Sequence, residues 1–281
     1  MIEIFSASLL IGMLAGMSAG LFGLGGGILI VPFLSWLLEL KQFKTDQVML
    51  LTVATALATA LPTSISSIRT HQRLHNIHWP RALRLMPTLL LAAMCGAVIA
   101  EHISAQVLRW LFIGYLLYTS LRLTLPEQPV SQTHKIRLYL DYPMGLLIGS
   151  VSAVLGIGGG TMTVPYLAGS GLSMKNAVAT SSACTLPIAF SAAVSYIVLG
   201  WNQPDLPTGS FGYIYLPAFA GIVSTSIFTA PHGAKLAHRL PAKRLKRYFA
   251  LALFMIAIKM AWPSLELSSL NQLLDLLPRI D

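Results

Sequence analysis

The sequence predicts an all-α polytopic membrane protein built from two inverted-topology repeats of five hydrophobic segments each. A Gly-rich re-entrant hairpin opens each repeat. Three observations carry the prediction. The 281 residues are 55% hydrophobic and only 10% charged. An ordinary soluble domain carries roughly 25% charged residues, so this chain cannot cover its own surface in water. A glycine-rich stretch, "GLGGGILIVPFL" at 23–34, returns as "GIGGGTMTVPYL" at 156–167. Finally, Lys and Arg collect in non-equivalent loops of the two halves.

Mean hydropathy is +0.69, and apolar stretches lie near 4–22, 28–39, 48–68, 83–100, 107–124, 142–157, 160–171, 178–200, 214–230 and 248–266. A helix needs about 20 residues to cross about 30 Å of hydrocarbon. The third, eighth and tenth meet that length. The second and seventh, directly after the glycines, are about a dozen residues or roughly 18 Å long. Each has a proline near its start, Pro32 or Pro165, where a missing N–H does least harm. They read as half-helices starting at Ile28 and Thr161. "MIEIFSASLL" lacks the basic n-region of a signal peptide, so the first segment is expected to be retained.

Three blocks recur in the same order. The glycine motif repeats at an offset of 133, Gly23 to Gly156. "TALATALPTSIS" (55–66) matches "TSSACTLPIAFS" (180–191), and "GAVIAEHISAQVLRWLF" (96–112) matches "GAKLAHRLPAKRLKRYF" (233–249) more weakly. The expected organisation is a first repeat at 1–124, a cytoplasmic linker at 125–141, a second repeat at 142–266 and a short tail at 267–281, all in one integral membrane domain.

Charge sets the relation between the halves. The loop 69–84 carries Arg69, Arg73, Arg81 and Arg84, while its counterpart 201–213 has no Lys or Arg. One loop later the bias reverses. The stretch 101–106 has none, and 232–247 has Lys235, Arg239, Lys243, Arg244, Lys246 and Arg247. With 69–84, the linker counted together with Arg122 beside it, 172–177 and 231–247 in the cytoplasm, 14 of the 19 Lys and Arg lie inside, as the positive-inside rule expects. Both termini then face outward, and Lys41 and Lys44 are the exceptions that weigh most. The net charge of +9 thus speaks to topology rather than to nucleic acid.

Inverted repeats with Gly/Pro-interrupted segments point to a secondary transporter whose site lies near the midplane. Each glycine run is then a hairpin tip. The N–H groups opening a helix lack intrahelical partners and sit at the positive end of its dipole, and glycines let an anion reach them. Candidate substrate-binding residues are Gly25, Gly26, Gly27, Gly158, Gly159, Gly160 and Thr161, with hydroxyls from Thr55, Ser66, Thr180, Ser181 and Ser191. The competing reading is that the glycines allow tight helix crossing and the hydroxyls bond back to their own helices.

On these motifs the chain resembles the TauE/SafE sulfite exporter family of membrane permeases. The resemblance covers nearly the whole chain and rests on the two glycine motifs, on "TALATALP" and "TSSACTLP", and on "GAKLAHRLP". It implies transport of sulfur oxyanions and organosulfonates, with export the expected direction. The first half has Thr55-Ala56 where the second has Thr180-Ser181, so the two sides of the site are chemically unequal.

No catalytic residue, cofactor or metal site is expected. "GLGGG" lacks the Lys-Ser/Thr of a P-loop, no HExxH occurs, and the acidic residues fall at segment ends or in loops. His71, His75 and His78 read as a solvated basic loop. Cys95 and Cys184 read as small buried hydrophobes. The expected partners are a small anionic substrate, the lipid bilayer and a sodium or proton coupling ion, with a homodimer as the candidate assembly and no nucleic acid. The alternative function is an anion channel, or a carrier for a different small anion.

Overall fold

The computed structural model describes residues 2–23, 26–43, 45–124, 138–204, 206–237, 247 and 249–262. Each of the ten apolar stretches appears as a helix. In order these are α1 (Ile2–Phe22), α2 (Gly27–Leu40), α3 (Thr45–Arg73), α4 (Trp79–His102), α5 (Ala105–Thr124), α6 (Asp141–Leu155), α7 (Gly160–Gly169), α8 (Met174–Leu199) and α9 (Leu216–Ala237), then α10 (Phe249–Trp262). A 3-10 turn at Leu138–Leu140 leads into α6. The expectation of helix alone needs one correction: β1 (Ser210–Phe211) and β2 (Ile214–Tyr215) form a short antiparallel hairpin before α9. Four helices, α1, α3, α4 and α8, are long and apolar enough to cross a membrane. The tail 267–281 and most of the linker lie outside the described residues.

The chain divides into two compact units, residues 1–105 with 127–240, and residues 106–126 with 241–281. The smaller holds α5 and α10, where Ser120 Oγ donates to Ala250 O at 2.8 Å. The larger holds the other eight helices. In it α1 packs most extensively on α9 and α6 on α4, α3 lies against α8, and the short α2 and α7 lean on α3 and α8 respectively. Its outward faces are apolar: Leu14, Leu91, Val98, Phe190, Val198 and Phe228 are all exposed. A water-soluble surface rarely tolerates contiguous apolar patches beyond a few hundred Å². The protein is a helical membrane protein.

Between membrane helices lipid is as apolar as leucine, so close packing of small residues supplies most of the attraction. Glycines do this on α1. A Cβ on Gly16 would stand 2.2 Å from Thr229 Oγ1 and 2.6 Å from Ser226 O, and one on Gly12 would stand 2.3 Å from Ile222 O. The same contacts recur between α6 and α4. There a Cβ on Gly149 would meet Leu89 O at 2.7 Å, and one on Gly145 would meet Thr88 Oγ1 at 2.0 Å. Gly233 of α9 lies against Met17 O just as Gly96 of α4 lies against Ser150 O. Each partner sits at the repeat offset, 133 for the first helices and 137 for the fourth.

Cys184 is buried, as expected, but Cys95 is exposed, because it falls on the outward face of α4 between the exposed Leu91 and Val98. His71 also departs from the expected loop: α3 continues through Arg73 and leaves His71 buried in its last turn.

Substituting Gly16→Val should destabilise the purified protein by about 1–3 kcal/mol, the usual cost of overpacking, because the Ser226 backbone as well as the Thr229 hydroxyl stands in the way. Gly114→Ala, with nothing within 4 Å of its Cβ, should be neutral or gain the helix-propensity difference of about 1 kcal/mol. Thermal unfolding in one detergent compares the two. Equal melting temperatures would contradict the packing.

Candidate functional site

The two glycine tips have the same backbone. Gly23 ends the first helix at φ 67° and Gly156 the sixth at φ 70°. Gly26 and Gly159, at φ 77° each, are the N-cap residues of α2 and α7, and neither makes a side-chain cap hydrogen bond. A left-handed backbone of this kind costs an L-residue with a Cβ roughly 1–2 kcal/mol. That requirement, rather than general flexibility, explains glycine at these four positions. Because the turn is completed at Gly26 and Gly159, the short helices begin at Gly27 and Gly160, one residue before the expected starts.

The tips lie deep beside the helices that precede them. A Cβ on Gly26 would stand 3.0 Å from Ala15 O, and Phe22 lies about 10 Å farther along α1 at about 1.5 Å per residue. So α2 starts well inside the length of α1 and returns alongside it, where the Lys41 ammonium pairs with Glu3 at the open end of the hairpin. Gly159 packs in the same way against Ile148 and Ser152 of α6 and against Ile188 of α8.

The two tips also meet. A Cβ on Gly27 would stand 2.0 Å from Gly156 O, so only glycine fits between the start of α2 and the end of α6. In both short helices the first helical bonds converge on the N-cap carbonyl. Leu29 and Ile30 N–H donate to Gly26 O at 3.1 and 3.2 Å, and Met162 and Thr163 N–H donate to Gly159 O at 3.1 and 2.8 Å. The N–H groups of Gly27, Ile28, Gly160 and Thr161 precede them and stand at the positive end of each dipole. Gly25 lies outside the described residues.

The candidate hydroxyls fall into three groups. Ser181 serves the first tip: its Oγ donates to Gly23 O at 3.0 Å. Its counterpart is Ala56, so Gly156 receives no such bond, which is the inequality expected from sequence. Thr185, which sequence reasoning missed, supports the second tip by donating to Gly158 O at 2.6 Å; its counterpart is Ala60.

Thr55 and Thr180 instead tie the halves together. Thr55 Oγ1 accepts from Tyr215 N–H at 3.0 Å, and Thr180 Oγ1 accepts from His78 N–H, also at 3.0 Å. Each donor is the residue before a fourth helix, α9 or α4, where backbone N–H groups need acceptors. Each bond is the counterpart of the other in residue numbering.

The hydrogen bonds of Ser66 and Ser191 go to neither tip. Ser191 Oγ donates to Pro187 O at 2.9 Å within its own helix, and Ser66 Oγ donates to Ile227 O of α9 at 2.7 Å. Ser66 lies about 16 Å along α3 from Thr55.

The structure also contains an ionic centre that no motif announced. Asp141, fully buried at the start of α6, accepts on Oδ1 from Arg81 Nη2 at 2.7 Å, Arg81 Nε at 3.1 Å and the Tyr166 hydroxyl at 2.5 Å. Its Oδ2 is buried and has no partner. The Arg81 guanidinium carbon also lies 5.9 Å from the centre of the Tyr166 ring. The centre joins α4, α6 and α7 at the open end of the second hairpin, opposite in the fold to Lys41–Glu3. The corresponding residues of the other half are Ala218, Ser8 and Phe33. Outside the helices, burial and then the charge of Glu101 push the Tyr213 phenol up to about 12. Among the described residues, no cluster of three or more His, Cys, Asp or Glu is placed to hold a metal ion.

The paired glycine tips, with α8 hydroxyls bonded to their carbonyls, lie inside the apolar bundle of a membrane transporter, the class to which its family and relatives belong. The chain belongs to the family described as Sulfite exporter TauE/SafE, whose pattern it matches over residues 8–260. It is 39% identical over 253 residues to a "Probable membrane transporter protein" of Haemophilus influenzae, covering 90% of this chain and 96% of that one. It is 24% identical to "Probable membrane transporter protein MJ0441" of Methanocaldococcus jannaschii, over 85% of this chain and 88% of the relative. With "Probable membrane transporter protein YunE" of Bacillus subtilis the identity is 23%, over 92% and 97%. No solved structure matches the chain.

Removing one partner of a buried ion pair leaves the other charge uncompensated, at a cost of about 3–5 kcal/mol, whereas replacing both with apolar groups is often neutral. Arg81→Leu alone should therefore lower the melting temperature sharply, and Arg81→Leu with Asp141→Leu should recover most of the loss. Additive losses in the double variant would mean that the pair is not coupled as described.

Proposed function

We propose that the protein is a secondary transporter moving small sulfur-containing oxyanions, such as sulfite or organosulfonates, across the cell membrane by alternating access. Export is the proposed direction, and the anion is held near the midplane between the two glycine tips. The observation that carries the reading is the contact of the two tips inside an apolar bundle, Gly27 of the first against Gly156 of the second, each tip opening into a short helix capped by a glycine at φ 77°. A dipole offers roughly half a positive charge at each helix start, and two of them favour one small anion. Irregular backbone at membrane depth is tolerable where it is buried in protein or lines a cavity, and that constraint supports functional tips.

The reciprocal hydrogen bonds at Thr55 and Thr180, and the matched glycine contacts of α1 with α9 and α6 with α4, support two inverted repeats. Both hairpins are proposed as re-entrant and both termini as extracytoplasmic. Sodium or a proton is the proposed coupling ion, the assembly a homodimer, and the location the bacterial inner membrane. An anion leaving a negative interior gains about 2.3 kcal/mol per charge per 100 mV, so the membrane potential itself favours export.

Flux in proteoliposomes tests the reading. Wild-type protein should move sulfite or an organosulfonate saturably and in preference to chloride and amino acids. Gly159→Leu, which forces a Cβ toward Ile188 Cδ1 at 2.5 Å, should lower flux at least a hundredfold while still eluting as a monodisperse species. Fast, unsaturable chloride movement would establish a channel instead. Unchanged flux in folded Gly159→Leu would remove the tips from the mechanism.

A further inference from the structure

The cytoplasm-assigned ends of α3 and α9 border an open pocket of about 270 Å³ lined by Ser66, Arg69, Thr70, Arg73, Leu74, Pro231 and Lys235, with the three cationic side chains exposed. Two basic segments far apart in sequence therefore share one pocket. Among the described residues no carboxylate lines it, and none forms an ion pair with Arg69, Arg73 or Lys235. Three like charges around one cavity repel one another, and an anion placed among them relieves that repulsion. The two hydroxyls are not available as donors: Ser66 donates to Ile227 O and Thr70 donates to Ser66 O at 3.1 Å. Recognition thus falls to two guanidinium forks and an ammonium, a donor set suited to tetrahedral and pyramidal oxyanions.

We infer that this pocket is an oxyanion-binding site distinct from the glycine tips. One face of α3 leads from it into the bundle: Thr70, Ser66, Thr63, Thr59 and Thr55 recur at spacings of three and four residues, and such positions share a helix face. At the far end of the same helix, on its other side, Val53 Cα packs against Gly156 of the second tip, about 24 Å along the helix from Arg69. The pocket is the place where an anion is gathered before it reaches the tips, an assignment that rests on the proposed transport for its direction but not for the binding itself. Basic pockets between helices on the cytoplasmic side also suit anionic lipid headgroups, which present the same chemistry.

A local reporter tests the site in the full-length protein. A bimane attached to Leu74→Cys, in a Cys95→Ser, Cys184→Ala background, is titrated with inorganic phosphate and with methanesulfonate in phosphatidylcholine nanodiscs. Saturable titration is expected, weakened at least tenfold by Arg69→Gln with Arg73→Gln. Lys235→Gln serves as the second variant should the double one fail to fold. In nanodiscs containing phosphatidylglycerol, a reporter already saturated without added anion would assign the pocket to a lipid headgroup, while undiminished titration would assign it to free anions. Either supports the site. No titration in either membrane, or equal titration in the charge variants, would overturn it. Intact titration with no flux in proteoliposomes would count against the transport reading alone.

Discussion

A chain that turns back inside hydrocarbon must satisfy its backbone polar groups within protein, because lipid offers them nothing. With both hairpins re-entrant, as proposed above, the arrangement of the larger unit follows from that constraint. Left-handed glycines make the turns possible at Gly23, Gly26, Gly156 and Gly159. The carbonyls of the turns are then taken up by hydroxyls of α8, with Ser181 on Gly23 and Thr185 on Gly158. The N–H side of each turn is left at the helix starts, where the dipoles are positive. In the transport proposed above, those same helix starts are what the turns present to the anion.

The remaining contacts hold those turns in register. Glycines on α1 and α6 let α9 and α4 approach to backbone contact, and Thr55 and Thr180 accept the N–H groups that introduce those same helices. Each half thus completes the other, since the third helix of one supplies the acceptor for the fourth helix of its counterpart. The halves differ mainly in polarity. The second hairpin is anchored by Arg81, Asp141 and Tyr166, the first by an exposed Lys41–Glu3 pair, and the second tip has Thr185 where the first half has Ala60. Such inequality suits the proposed carrier, which must open to each side in turn.

Much of this was legible in the sequence. Apolar stretches located all ten helices, and the glycine motif marked both turns to within a residue, because hydropathy and left-handed backbone leave direct traces in composition. Hydroxyl roles left none. A threonine in an apolar helix reads alike whether it accepts from a neighbouring loop, as Thr55 and Thr180 do, or bonds back to its own helix, as Ser191 does. The ionic centre was hidden for a related reason: Arg81, Asp141 and Tyr166 come from three helices, and each taken alone looks like an ordinary residue near a segment end. Cys95 was misjudged because apolar context implies burial in water but exposure to lipid on an outward face. His71 was misjudged because α3 runs one turn beyond its hydrophobic stretch.

The claim on which the account depends is that an anion sits between the two tips. Selenite shares the charge and pyramidal shape of sulfite, and selenium can be located by anomalous scattering. A crystal of the full-length protein grown with selenite should show an anomalous peak within hydrogen-bonding distance of the Gly27 and Gly160 helix starts. A peak confined to the Arg69–Arg73–Lys235 pocket, with none between the tips, would contradict it.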